Sequence, residues 1–458
     1  MVRAVSALGQ LAEFVVKTRL EDCPPAALAQ VRRAALDTLG VMLAGAPEPP
    51  ARLVREVARA EGGLPLCTVV GTRLRTSATW AALANGTAGH AHDFDDTSFV
   101  LMGHPSVVLL AATLAVGEAA MADGRALVLG YVVGFEVGAA LGQAVNPAHY
   151  HRGWHATATL GTLGAAAAAA RAMGLDVEAT THALAIAASL ASGLKANFGS
   201  MTKPLHAGHA ARNGVLAVLL AREGFTGSPH ALDGPQGFLA AFAPEAALDE
   251  ALAALGRRYH LVETGVAIKP YPSCALTHPA VEALLELRQT HALRPEQVAA
   301  VEVGVSPLAP GVLLYPRPVT ALQRKFSMEY CAAVALARGA VGFEAFEEGE
   351  VRDPQVRRLM ERVRMVVDPS LPSAGTEQAW SRVTVRLTDG RVLALPPRGA
   401  TGHPERPLSW EALRAKFLSC ASTVLRRGEA EGLAEQIAHL EEIPDLRALT
   451  ARLAADVE

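Results

Sequence analysis

The chain of 458 residues is 50% hydrophobic and 19% charged, which excludes a disordered protein and supplies ample core for two or three domains. Its formal net charge is −3, with no dense Lys/Arg block and no basic-plus-aromatic stripe, so nucleic-acid binding is not expected. The five cysteines (Cys23, Cys67, Cys274, Cys331, Cys420) are odd in number, widely spaced and without a C-x-x-C, which argues against a disulfide framework, a zinc site or an iron–sulfur cluster and fits a reducing cytoplasmic setting.

The N-terminal stretch "MVRAVSALGQLAEFVVKTRLEDCPP" has apolar residues at helical spacing together with Glu13, Lys17 and Arg19, the pattern of an amphipathic helix and not of a signal peptide. "PPAALAQVRRAALDTLGVMLAG" opens on prolines suited to a helix start and ends in Gly45. "HPSVVLLAATLAVGEAAMADG", "GRALVLGYVVGFEVGAALGQAV", "TATLGTLGAAAAAARAMGLD", "VEATTHALAIAASLASGL" and "AARNGVLAVLLAREGFTG" predict further helices. They are apolar on most faces, so a buried bundle is expected. The apolar runs at 157–170 and 183–194 hold Ala, Gly, Thr and Ser, not the leucine-rich run of roughly 20 residues that spans a bilayer, and no membrane span is expected.

The pattern changes at "AIKPYPSC" (267–274), where Pro270 and Pro272 impose an extended junction. A helix follows in "HPAVEALLELRQTHAL". "VAAVEVGVSPL" then alternates Val301, Val303 and Val305 on one face, the period of a half-buried strand. "WSRVTVRLTDGRVLAL" alternates Val383, Val385 and Leu387 ahead of Asp389-Gly390, a hairpin signal. The tail returns to helix in "SWEALRAKFLSCASTVL" and "EGLAEQIAHLEEIPDLRALTARL". The expected fold is mainly α: a large all-helical domain formed by both chain ends (1–267 and 401–458) with an inserted smaller α+β domain over 268–400.

Residues 90–97, "HAHDFDDT", concentrate chemistry-bearing side chains. On a helix His90 and His92 diverge, while Asp93 and Asp96 share a face, as do His92 and Asp96. That arrangement provides a carboxylate–imidazole pair and no closed three-ligand metal set. His92-Asp93 alone does not make an HD phosphohydrolase, which needs a separate upstream His and a distant Asp. The bland alternative is a helix-capping and packing network.

Other candidates lie further along. His104 precedes Pro105 and so sits at a helix N-terminus, where protonation is disfavoured and anions are favoured. His155 enters a Gly/Ala-rich helix. Lys203 precedes Pro204 and is expected in extended backbone ahead of a helix, facing an anionic partner. His206 shares one helix with His209 and reads as a supporting or substrate-side residue. Lys269, Ser273 and Cys274 lie at the junction, and junctions favour clefts. Together these residues predict a Lys- and His-rich site for a small polycarboxylate, with acid/base chemistry next to a carboxylate.

The stretches "NGTAGHAHDFDDT…GHPS", "YHRGWHATATLGTLGAAAAAARAMGLD", "GSMTKPLHAGHAARNGVLAVLLAREGFTG", "IKPYPSCALTHPA", "KFSMEYCAAVAL" and "GHPERPLSWEALRAKF" resemble, in order and over nearly the whole chain, the MmgE/PrpD family of 2-methylcitrate dehydratase, cis-aconitate decarboxylase and iminodisuccinate epimerase. The resemblance implies a homodimer with a metal-free site in the cleft, and no cofactor is expected. It implies active-site roles for Asp93, His104, His155, Lys203 and Lys269, the first four catalytic and Lys269 substrate-binding; Ser273, Cys274, Asp96 and His206 are expected around the substrate from their own placement in the chain. In the decarboxylase branch a His holds the place of Cys274. The expected activity is therefore a hydro-lyase of the 2-methylcitrate type, with His155 as base and His104 as acid. An epimerase, a decarboxylase using the same carbanion, and a non-catalytic carboxylate-binding dimer are the alternatives.

Overall fold

Glycines set how closely the central helices approach. Gly86 on helix Ala78–His90 and Gly208 on helix Thr202–Arg222 meet backbone to backbone, and a Cβ on Gly208 would collide with the Leu83 carbonyl. Gly134 on helix Gly124–Val145 and Gly164 on helix Ala156–Ala172 repeat the device, a Cβ on Gly134 lying 2.7 Å from the Gly164 carbonyl oxygen. Such contact replaces side-chain interdigitation with backbone proximity and buries the alanine-rich faces at high density. The computed structural model describes residues 6–455 except 348, 350, 352, 373 and 374, so the outermost residues of both predicted helical segments lie outside the described part.

Among the described residues there are twenty α-helices, two short paired strands (Cys67–Thr68 and Arg75–Thr76) and one four-stranded sheet. The fold is mainly α, as the sequence predicts. Helix Pro25–Gly45 begins with Pro25 at its first turn and is buried along its C-terminal half. Helices Pro105–Ala120, Gly124–Val145, Ala156–Ala172 and Thr202–Arg222 form the centre of the bundle. Gly124–Val145 is long and apolar enough to cross a bilayer by length and composition, yet nearly all of it is buried inside the protein. Its buried Glu136 accepts hydrogen bonds from the backbone N–H groups of His260 and Leu261.

The sheet runs Val363–Val367, Val298–Val305, Ser381–Leu387, Val392–Arg398 in spatial order. The first pair is parallel and the other two are antiparallel. Val301, Val303 and Val305 are buried, as are Val383, Val385 and Leu387, so both predicted alternations point into the core. The Asp389-Gly390 turn closes the hairpin, with Gly390 at φ +90°. Helices His278–Thr290 and Met328–Arg338 pack beside this sheet.

Late helices return to the start of the chain. Trp410–Ala421 lies along Pro25–Gly45, where Gly40 admits the Phe417 ring. Lys416 reaches from that helix to buried Asp37 at 2.6 Å.

Candidate active site

Helix Ala78–His90 stops at His90, and this break builds the site. Residues 91–97 turn back on themselves, with Asp93 in the left-handed region at φ +52°. Such a φ is uncommon for a residue other than glycine and is held here by surrounding contacts. Three buried or nearly buried lysines donate to main-chain carbonyls of this turn. Lys325 binds the Ala91 carbonyl at 3.1 Å, Lys269 the Asp93 carbonyl at 2.6 Å, and Lys416 the Phe94 carbonyl at 2.8 Å. Thr97 and Ala267 exchange two backbone hydrogen bonds, which fixes the turn against the junction segment that carries Lys269.

The helical geometry expected for "HAHDFDDT" is therefore corrected. His92 turns away to the Ala44 carbonyl and the Phe343 ring. Asp96 points behind the site, where it accepts from the Ser106 hydroxyl, itself hydrogen-bonded to Tyr131. Burial and the Asp37 carboxylate push the Asp96 carboxyl up to about 8, so at neutral pH it is mostly protonated. It does not line the cavity, contrary to the expected substrate contact.

Lys203 is also placed differently from expectation. It lies in the first turn of helix Thr202–Arg222, not in extended backbone, because Pro204 still falls where a helix leaves its N–H groups unpaired. Its Nζ is 2.6 Å from Asp93 Oδ1 and 2.8 Å from His90 Nε2. Lys269 Nζ lies 3.3 Å from Asp93 Oδ2. Burial alone would raise the Asp93 carboxyl, but the two ammonium groups outweigh it and hold Asp93 below the ordinary carboxylate range.

His104 and His155 are both N-cap residues of helices that enter the core, Pro105–Ala120 and Ala156–Ala172. The cap position aims both imidazoles at the same cleft. A carbonyl can only accept, so the 2.9 Å contact to the Asp96 carbonyl places a proton on His104 Nδ1. Nε2, 3.7 Å from Asp93 Oδ1, then holds the lone pair of the neutral ring. His155 Nδ1 meets His206 Nδ1 at 3.0 Å, so His206 stands behind His155 and does not line the cavity. Burial lowers both rings, and His206 lies at about 4. The resting site thus holds neutral imidazoles beside ammonium groups.

His90 and Asp95 are the members that sequence reasoning left out. Asp95 accepts from His90 Nδ1 at 2.9 Å and lies 3.3 Å from His104 Nδ1. This fixes His90 with its Nε2 lone pair toward Lys203. The signal was the five-residue spacing between them, which converges only once the helix ends between them. His90, Asp93, Asp95 and His104 can each offer one atom within 4.8 Å of the others, so four potential metal donors do converge. The Lys203 ammonium hydrogen-bonds Asp93 Oδ1 and the Lys269 ammonium lies 3.3 Å from Oδ2, so a divalent cation there would meet two like charges.

The cleft has a cavity volume of about 80 Å³ and is lined by Asp93, His104, His155, Lys203, Lys269 and Cys274. These are six of the expected residues brought together. Ser273 is buried behind the cleft and hydrogen-bonds Thr277 at 2.9 Å. The Cys274 thiol is buried, and burial pushes it up to about 11, which leaves it neutral. All five cysteines are unpaired. Tyr150, Thr97 and Gln378 also line the cleft and were not anticipated.

Residues 9–251 match the MmgE/PrpD N-terminal domain and residues 271–442 the MmgE/PrpD C-terminal domain. The chain is 32% identical to the cis-aconitate decarboxylase of Mus musculus over 92% of its length and 88% of the mouse protein. It is 32% identical to that of Homo sapiens, over 92% of this chain and 89% of the human one. A cis-aconitate decarboxylase-like protein oryM of Aspergillus oryzae is 26% identical over 98% and 97% of the respective chains. The chain belongs to the MmgE/PrpD family.

Proposed function

We propose that the protein is a cofactor-independent carboxy-lyase acting on a small unsaturated carboxylate. The observation that carries this reading is the Lys203 ammonium, 2.6 Å from Asp93 and in one cleft with the neutral imidazoles of His104 and His155. Fixed positive charge in a dry site stabilises the enolate that forms when a carboxylate leaves. The 2-methylcitrate dehydratase activity expected from the family resemblance gives way to decarboxylation, because the relatives at 32% identity are named cis-aconitate decarboxylases.

In this reading Lys203 and Lys269 hold the carboxylate that stays. The bond to the departing carboxylate breaks as carbon dioxide forms, and its electron pair becomes a new C=C. The electron pair of the old double bond moves to the carbon next to the retained carboxylate. A proton delivered to that carbon ends the reaction, so one proton is consumed per carbon dioxide released. His104 is the donor: its Nε2 takes up a proton when the anionic substrate enters and passes it to carbon. His155, backed by His206, orients the retained carboxylate. Asp93 holds the two lysines in register.

The test is proton NMR in D₂O of the pure protein with cis-aconitate, citrate, 2-methylcitrate and alkyl-substituted unsaturated dicarboxylates, with carbon dioxide measured in parallel. Carbon dioxide release with one deuterium entering the product is the expected result. New vinylic signals without carbon dioxide would establish a hydro-lyase in its place. Deuterium entry alone would establish an epimerase. Silence with every compound would sink the lyase reading.

A further inference from the structure

Much of the cleft lining is apolar. Phe99, Met102, Leu276, Leu308 and Val312 contribute to it, and Phe326 sets its ring 5.2 Å from the Lys203 ammonium. Leu276 comes from the junction segment, Leu308 and Val312 from the loop after strand Val298–Val305, and Phe326 from the turn before helix Met328–Arg338. Four separate segments thus contribute greasy side chains to a cleft that also holds Lys, Asp and His. No arginine lines the cleft among the described residues.

Charge bounds the ligand from the other side. Among the described residues lining the cleft, the ionised groups are Lys203, Lys269 and Asp93. Asp93 is paired with both lysines, so the lining offers one positive charge in excess. The imidazoles are neutral at rest, and Cys274 is a neutral thiol. Behind the lining, the negative charge of Asp95 is offset by Lys325, which reaches the Ala91 carbonyl of the same turn. One carboxylate is matched by the excess ammonium. A second can be matched by protonating His104, whose Nε2 lone pair faces Asp93. A third would find only neutral partners such as the Thr97 and Tyr150 hydroxyls, so its charge would stay unmatched in a largely buried site.

We infer that the substrate is a dicarboxylate bearing an apolar arm, with its two carboxylates on the Lys and His side chains and the arm against Leu308 and Val312. The inference rests on the carboxy-lyase reading for the site but concerns recognition, which is measured separately from turnover. An alkyl or aryl arm of three to six carbons gains roughly fourfold in affinity per buried methylene. A third carboxylate in the same place loses its hydration against carbon.

The experiment is calorimetric titration of the protein with glutaconate, 3-propylglutaconate, 3-phenylglutaconate and cis-aconitate, each of which carries a carboxylate on the carbon next to the double bond, followed by NMR of each mixture in D₂O. 3-Propylglutaconate or 3-phenylglutaconate should bind at least tenfold tighter than both glutaconate and cis-aconitate. In Val312→Ser and Leu308→Ser that preference should shrink severalfold, while glutaconate affinity changes less. If cis-aconitate binds tighter than every alkyl or aryl dicarboxylate, the substrate class is overturned while the lyase reading stands. If the alkyl preference holds but no bond breaks and no deuterium enters with any compound, the lyase reading falls and the recognition stands. Absence of measurable binding by all four overturns the inference.

Discussion

Lys203 Nζ sits 2.6 Å from Asp93 Oδ1, with both side chains about 5% exposed. The pair joins the start of helix Thr202–Arg222 to the turn after helix Ala78–His90, elements 110 residues apart in sequence. Removing one member of a buried ion pair strands the other, at a cost of about 3–5 kcal/mol. Here Lys269 remains beside Asp93, so the carboxylate keeps one partner. Lys203→Met should therefore fold, with a lower melting temperature, and lose at least roughly a thousandfold in kcat from the missing enolate stabilisation. Circular dichroism and single-turnover assays separate the two effects. Near-wild-type turnover by a folded Lys203→Met would remove this lysine from the chemistry.

Asp95 should matter without touching substrate. It fixes the proton on His90 Nδ1, which leaves His90 Nε2 as an acceptor for Lys203 at 2.8 Å. In Asp95→Asn the amide can donate to Nδ1, which moves the ring proton to Nε2 and turns it against the ammonium. The expected result is a fall in kcat of about a hundredfold with little change in KM, the mark of disturbed positioning. Asp95→Glu should recover part of the loss. An equal rise in KM and unchanged kcat would assign Asp95 to binding.

Much of this framework is legible in the sequence, and the failures share one cause. The helices around Ala166, Val132 and Leu110 are read correctly because runs of small apolar residues admit little besides a buried helix. The Val383/Val385/Leu387 alternation ahead of Asp389-Gly390 is equally direct. Strand Val363–Val367 is missed because it is a mostly exposed edge strand, with Val366 and Val367 facing solvent and no clean alternation. At the site, treating 90–97 as helix sends Asp96 toward the substrate and leaves Asp95 out. The sequence does not reveal that lysines from positions 269, 325 and 416 will satisfy the turn's carbonyls, since that is decided by tertiary contacts. The apolar lining is likewise assembled from loops distant in sequence.

The pH profile distinguishes decarboxylation from dehydration. If His104 must take up a proton with the substrate, the protonated fraction of the free enzyme governs kcat/KM. Burial lowers His104 below its ordinary 6.5. Above that lowered value the protonated fraction falls about tenfold per pH unit, so kcat/KM should decline steadily from pH 6 to 8. A hydro-lyase that uses the neutral ring as base gives the opposite sign, with activity lost toward acid. His104→Gln should abolish the slope along with most of the rate.

Chelation should not inactivate the enzyme. His90 uses Nδ1 for Asp95 and Nε2 for Lys203, and Asp93 uses its oxygens for two ammonium groups. A divalent ion would have to displace both lysines. Protein dialysed against EDTA should retain full turnover and show metal far below one equivalent per chain. Activity lost to EDTA and restored by one metal ion would show that His90, Asp93, Asp95 and His104 act as ligands.

Acid should destabilise the fold through its buried histidines. Burial lowers His90, His92 and His278 to about 3, and His149 and His206 to about 4. In the unfolded chain each returns to about 6.5. Between these values the unfolded state binds protons that the folded state refuses, so stability rises with pH. Their contribution is complete above pH 6.5 and drains away as pH falls toward 4, by up to about 1.4 kcal/mol per unit for each such ring. Denaturant titrations at pH 7.0, 6.0 and 5.0 should show a falling midpoint. His278 illustrates the cause, since its Nε2–H donates to the Ser273 carbonyl at 3.0 Å and the charged ring has nothing to pair with there. His278→Gln keeps a donor without a titrating group and should flatten the slope. A variant with an unchanged slope would move the acid sensitivity to the remaining rings.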